Sequence, residues 1–72
     1  MRCIARTAEF VEVELAPNEL EIVAIGGSSR HALIMHAIEA HAEGGVPRNE
    51  RSPSWEHAIR GNVLVLVPMV RP

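Results

Sequence analysis

The chain has 72 residues, which is enough for a single domain. All seven basic residues are arginine, and nine glutamates give a formal net charge of −2, so the basic excess typical of nucleic-acid-binding domains is missing. With one cysteine, Cys3, an intramolecular disulfide is excluded, and a domain this small needs another source of stability, such as a partner subunit. The longest apolar run, 63–70, is far shorter than the ~20 residues of a membrane span, and no leader-like segment is visible, so we expect a cytoplasmic protein.

The first third of the chain predicts a β-hairpin. Residues 10–15 alternate apolar and acidic side chains, which is typical of a strand with one buried face, and residues 3–7 extend it upstream past a bulge near 8–9. Pro17 and Asn18 are typical turn residues. We therefore expect the apolar segment 20–25 to return as the second, antiparallel strand.

The central segment predicts an amphipathic helix over 29–43. Ser28 or Ser29 supplies the hydroxyl of an N-cap, and a glycine pair at 44–45 follows the last helical residue. At 100° per residue, one stripe of the helix surface is mainly apolar: Leu33, Ile34, Ala37, Ile38 and His41. We expect this stripe to pack on one face of the sheet.

The last third predicts a loop, a short helix and a closing strand. Residues 46–54 are polar, contain two prolines and have no periodicity, which indicates an exposed loop. A short helix over 55–60 ends at Gly61, and the run 63–70 predicts a strand that is apolar on both faces. The predicted fold is a single α+β domain over 1–72, with element order ββααβ and the main helix on one face of a small antiparallel sheet.

The closing strand needs cover on both faces. Alternation places Val63, Val65, Val67 and Met69 on one face and Leu64, Leu66 and Val70 on the other. The main helix covers only one face, and an uncovered apolar face is unusual in a soluble monomer. We predict that a second copy of the chain or another protein covers that face, with a homodimer interface that contains Leu64, Leu66 and Val70. The alternative is that the 55–60 helix folds back and closes the core within one chain.

Arginine and the only tryptophan are concentrated near the predicted loop: Arg48, Arg51, Trp55 and Arg60. Because these two residue types dominate protein-interface hot spots, we predict that this group binds a protein partner. The same residues suit a nucleic acid, through phosphate contacts and base stacking. A purely structural interpretation is that Trp55 fills the edge of the core while the arginines pair with nearby glutamates in solvent.

Two weaker patterns concern small ligands. Ser28, Ser29 and Arg30 follow a glycine pair at a helix start and suit an anion, but the spacing is not that of a phosphate-binding loop. The helical histidines are five residues apart, which separates neighbours by about 140° around the helix and does not suit a metal. We therefore predict no catalytic residue, no metal and no cofactor.

In size, element order and lack of catalytic motifs, the chain is similar to the small phage-encoded proteins that bind and block host machinery, anti-CRISPR proteins among them. The likeness covers general organisation and transfers no residue and no target. It implies an inhibitor that acts by occlusion or bridging. We predict a non-enzymatic protein-binding module, with two alternatives: a nucleic-acid-associated regulator, and an anion-binding protein or small enzyme at the Gly-Ser turn.

Overall fold

A computed structural model describes residues 1–42 and 54–69. Their elements, in chain order, are β1 (Arg2–Arg6), β2 (Val11–Glu14), α1 (Pro17–Ile25), α2 (Gly27–His41), β3 (Ser54–Arg60) and β4 (Val63–Met69). The α+β class is confirmed. The order over the described residues is ββααββ, and the predicted ββααβ order is not matched.

The four strands form one antiparallel sheet in the order β1-β2-β4-β3. The closing strand β4 therefore lies between two others, as its two-sided apolar pattern predicts. In the β2–β4 pair, Val11 is opposite Leu66 and Val13 is opposite Leu64. All four side chains are buried, which identifies the face of the sheet that the helices cover.

The hairpin forms earlier in the chain than predicted, between β1 and β2. Thr7 organises its turn, because its hydroxyl oxygen accepts from the amides of Glu9 and Phe10, each at 3.1 Å. The amide of Thr7 also donates to the carbonyl of Phe10 at 2.9 Å. The register shift of this hairpin lies in β1, between Cys3 and Ala5, and not near 8–9.

The segment predicted as the second hairpin strand is helix α1. Pro17 occupies the first turn, where its missing N–H costs no helical hydrogen bond. A side-chain oxygen of Glu19 accepts from the amide of Ala16 at 2.7 Å and so satisfies a backbone donor at the helix start. Gly26 ends α1 with φ 78° and ψ −154°, a conformation essentially limited to glycine.

Helix α2 begins at Gly27 with Gly26 as its N-cap, so the predicted serine cap is wrong. It ends at His41, two residues before the predicted end. The predicted stripe is confirmed, since Ile34, Ala37 and Ile38 are buried against the core.

The segment predicted as a short helix is strand β3, which pairs with β4 along its whole length. Gly61 and Asn62 form the two-residue connection between the paired residues Arg60 and Val63. Gly61 has φ 60°, the left-handed conformation that a tight hairpin turn requires. The idea that a 55–60 helix closes the core is therefore wrong.

The core lies between the helices and one face of the sheet. Its buried members come from the two central strands, both helices and the residues beside them: Val11, Val13, Leu15, Val23, Ile34, Ala37, Ile38, Ala42, Leu64 and Leu66. Trp55 and Ile59 of β3 are partly buried and pack against this cluster. The helices thus cover one face of the sheet.

Candidate functional site

The face of the sheet opposite the helices carries an apolar row on β4: Val63, Val65, Val67 and Met69. Val67 is 39% exposed and Met69 38%, whereas Leu64 and Leu66 on the other face are fully buried. Their β3 neighbour Ala58 is exposed as well. We call this surface the helix-free face and define it by the residues on β2, β3 and β4 that share it: Glu12, Glu14, Glu56, Ala58, Arg60, Val63, Val65, Val67 and Met69.

Charged side chains border the apolar row on both sides. Glu14 on β2 and Arg60 on β3 both lie opposite Val63, so these three residues form one row across the sheet. One row further along, Glu12 and Ala58 lie opposite Val65. The helix-free face is therefore acidic beside one strand and carries an arginine at the same level beside the other.

The two charged ends of the Val63 row differ in their partners. Arg2 of β1 contacts Glu14, with 3.1 Å between the guanidinium nitrogen and the carboxylate oxygen, and both side chains are solvent-exposed. Within residues 1–42 and 54–69, Arg60 makes no ion pair. Arg60 is also exposed, so its guanidinium is available to a carboxylate on another molecule.

The predicted partner-binding residues do not form one surface in the part of the chain that the structure describes. Trp55 is opposite Pro68 and lies on the helix-covered side, whereas Arg60 is on the helix-free face. Five residues of strand also separate them by roughly 17 Å. Arg48 and Arg51 lie outside the described residues.

Trp55 has the structural role that the sequence left open. It packs against the core cluster and is partly buried. Its indole Nε1 is buried and has no hydrogen-bond acceptor among the described residues. The side chain therefore covers an edge of the core.

The predicted dimer residues Leu64 and Leu66 belong to the core of one chain, so their assignment to an outer surface is wrong. Their 0% exposure follows from the β2–β4 register, which aligns them with Val13 and Val11 beneath the helices. The third predicted interface residue, Val70, lies outside the described residues. The alternate residues of the same strand occupy the exposed face.

At the Gly-Ser turn, the predicted anion-binding arginine contacts the backbone of its own chain. Ser28 and Ser29 are exposed in the first turn of α2. Arg30 turns back toward α1, where its Nε donates to the Val23 carbonyl at 2.8 Å and its Nη2 donates to the same oxygen. The guanidinium thus connects the end of α1 to the start of α2.

Glu19 is a partly buried carboxylate with two close partners at the start of α1. Its carboxylate contacts the Met1 ammonium at 2.8 Å and accepts from the Ala16 amide. Burial by itself raises the pKa of Glu19, but these two hydrogen bonds, with the positive charges of Met1 and His36, outweigh it and lower the pKa below its ordinary value. The carboxylate is therefore a structural anion at the start of α1.

The described residues contain neither a metal-binding cluster nor a membrane-spanning helix. Across 1–42 and 54–69, no three His, Cys or acidic residues cluster in a way that would hold a metal ion. None of the helices described has the length and apolar character required to cross a membrane. The Cys3 thiol is half-buried and donates to the Ala5 carbonyl at 3.6 Å.

Comparison with known protein families, with curated proteins and with solved structures finds no match for this chain. The helix-free face is thus identified from geometry. Sequence reasoning found the alternation of β4 but assigned the wrong half of it to the outer surface. It also missed Glu14 as a surface residue of interest, although the acidic alternation of 12 and 14 marks that face of β2.

Proposed function

We propose that this chain is a small non-enzymatic protein-binding module that binds a second copy of itself through the helix-free face. The observation that supports this is the apolar row on β4, which no helix covers in the part of the chain that the structure describes. Val63 and Val65 of this row are half-buried and Val67 and Met69 are exposed, whereas Leu64 and Leu66 on the other face of the strand are fully buried. Large apolar side chains each contribute about 1.5–3 kcal/mol when they leave water. A second copy would supply the cover that the helices supply on the opposite face.

The size of the face sets the expected strength of self-association. The described strands are five, four, seven and seven residues long, so about 3.3 Å per residue and 4.8 Å between strands give a sheet face of roughly 360 Å². Two such faces would bury roughly 700 Å² together, which is below the size of standard interfaces and typical of weak contacts. We therefore expect a weak dimer with a dissociation constant on the order of 10–100 micromolar.

Dimerisation through the helix-free face leaves the helices and the sheet edges of both subunits accessible. The dimer would present each of these surfaces twice, which suits a protein that blocks or bridges the parts of a larger complex. We therefore propose occlusion or bridging of a host complex as its mode of action, as in the small phage-encoded inhibitors that the chain is similar to in general organisation.

The test is the oligomeric state of matched lysine variants. Val65→Lys places an ammonium beside Glu12, its cross-strand neighbour, so the subunit can fold while two ammonium groups oppose each other in the dimer. Ala40→Lys adds the same charge to an exposed position of α2 and is the control. Val67→Lys, beside Glu56, is a second interface variant.

Sedimentation velocity between about 1 and 500 μM, the range in which micromolar dimers dissociate, separates the outcomes. We expect wild type and Ala40→Lys to dimerise with equal affinity, and folded Val65→Lys and Val67→Lys to stay monomeric. Wild type that is monomeric throughout, or interface variants that dimerise as well as wild type, would overturn the proposal.

A further inference from the structure

We propose that the two copies pack face to face about a two-fold axis parallel to β4, so that Glu14 of each chain pairs with Arg60 of the partner subunit. This inference rests on the proposed self-association and specifies its geometry. It is carried by the positions of charge on the helix-free face and by the central place of β4 in the sheet.

Within the sheet, β4 is flanked by β2 on one side and β3 on the other. A two-fold axis parallel to β4 places the two β4 strands over each other and reverses the order of the strands that flank them. Strand β2 of each subunit therefore lies over β3 of the other. Facing sheets keep their strand directions within about 30° of each other, which this arrangement satisfies.

A two-fold axis parallel to β4 does not change the position of a residue along the strand direction, so each residue faces the partner subunit at the same level. Glu14 and Arg60 both lie at the level of Val63, so the carboxylate of one subunit meets the guanidinium of the other, twice per dimer. At the next level, Glu12 lies over the small side chain of Ala58, which has no charge to oppose it.

The other two-fold axis in the plane between the two sheets runs across the strands. Centred on Val65, that axis places Glu12 of one subunit directly over Glu12 of the other, and like charges brought together at an interface are unfavourable. It would pair Arg60 with Glu56, which lies opposite Val67. The axis parallel to β4 gives two opposite-charge pairs and opposes no like charges, so we choose it.

The chemistry of the pair fits its position. Sheets that pack face to face are about 10 Å apart, a gap that a glutamate and an arginine can span between them. Arg60 has no ion pair within the described residues, and Glu14 already accepts from Arg2 of its own chain. In the dimer, Glu14 would lie between two guanidinium groups, whose planar forks suit a carboxylate.

The experiment compares substitutions that replace each charged side chain with a neutral amide. Glu14→Gln and Arg60→Gln each remove both intersubunit pairs, while Glu56→Gln neutralises a glutamate on the same face whose level offers no opposite charge. Dissociation constants come from sedimentation equilibrium, and circular dichroism confirms that each variant is folded. We expect about a ten-fold or greater loss of affinity for Glu14→Gln and for Arg60→Gln, and less than a two-fold change for Glu56→Gln.

The double variant Glu14→Gln, Arg60→Gln completes a thermodynamic cycle. If the two residues pair, the double variant is no weaker than the single variants. Loss of affinity in Glu56→Gln but not in Glu14→Gln would overturn the proposed axis in favour of the one across the strands. Unchanged affinity in every variant would overturn the ion pair, and a monomeric wild type would instead overturn the proposed function.

Discussion

At the scale of single residues, Arg30 joins the two helices. Two of its N–H groups donate to the Val23 carbonyl, one of the acceptors that the end of α1 leaves without a helical partner. The sharp change of direction at Gly26 brings the start of α2 close enough for this contact. The guanidinium of Arg30, which made residues 28–30 resemble an anion site, therefore binds a backbone carbonyl of its own chain.

We predict that Arg30→Met lowers the free energy of unfolding by about 1–2 kcal/mol, because the apolar stem is kept while the hydrogen bonds to Val23 are lost. Urea unfolding followed by circular dichroism measures the change. Arg6→Met, at an exposed strand position, is the control and should change stability by less than about 0.5 kcal/mol. Equal effects in the two variants would contradict the role assigned to Arg30.

At the scale of elements, α2, β2 and β4 follow from periodicity in the sequence, and α1 and β3 do not. Residues 20–25 are rich in β-branched side chains, which favour a strand, but Pro17 and Glu19 stabilise a helix start and tertiary packing decides the outcome. For β3, the Gly61–Asn62 pair is a hairpin signal that outweighs the helical appearance of residues 55–60.

The inner face of β4 could not be predicted from β4 itself, because both halves of its alternation are apolar. The choice depends on register with β2, which aligns Leu64 with buried Val13. The site residues depend on the same register, so Glu14 and Arg60 become neighbours of Val63 only once all three strands are paired. The pairing of β2 with β4 joins residues that are far apart in the sequence, and local patterns do not encode it.

The start of α1 gives stability a pH dependence through Glu19. The folded protein lowers the pKa of Glu19. The stabilisation that the ionised carboxylate provides is therefore complete above the ordinary pKa of 4.5 and is lost as the pH falls through the lowered pKa. We predict that Glu19→Gln is less stable than wild type at pH 7 and that the difference narrows towards pH 3. Glu21→Gln, at an exposed position of α1, should show no such convergence. Urea unfolding at each pH provides the comparison.

The two faces of β4 should respond differently to truncation. We predict that Leu64→Ala lowers the free energy of unfolding by about 2–4 kcal/mol, because it leaves a cavity in a fully buried site. Val65→Ala should cost less than about 1.5 kcal/mol when measured at low micromolar concentration, where the proposed dimer would be dissociated. A larger loss of unfolding free energy for Val65→Ala than for Leu64→Ala would show that Val65, and not Leu64, faces the core.

At the scale of the whole molecule, the described residues form a two-layer fold in which helices cover one face of a four-stranded sheet. A small domain buries a limited share of its surface, and among the described residues no helix covers the outer row of β4. Under the proposed function, a second copy would cover that row. The partner of such a surface is set by shape and charge after folding, and for that reason composition and motifs did not identify it.

Face-to-face packing of two copies is tested most directly by an isotope-filtered nuclear Overhauser experiment on a mixture of two differently labelled copies of the chain. This packing predicts intermolecular contacts among the methyl groups of Val63, Val65 and Val67, because it places the two β4 strands over each other. Intermolecular contacts from α2, or no such contacts at concentrations well above the micromolar range expected for the dimer, would contradict it.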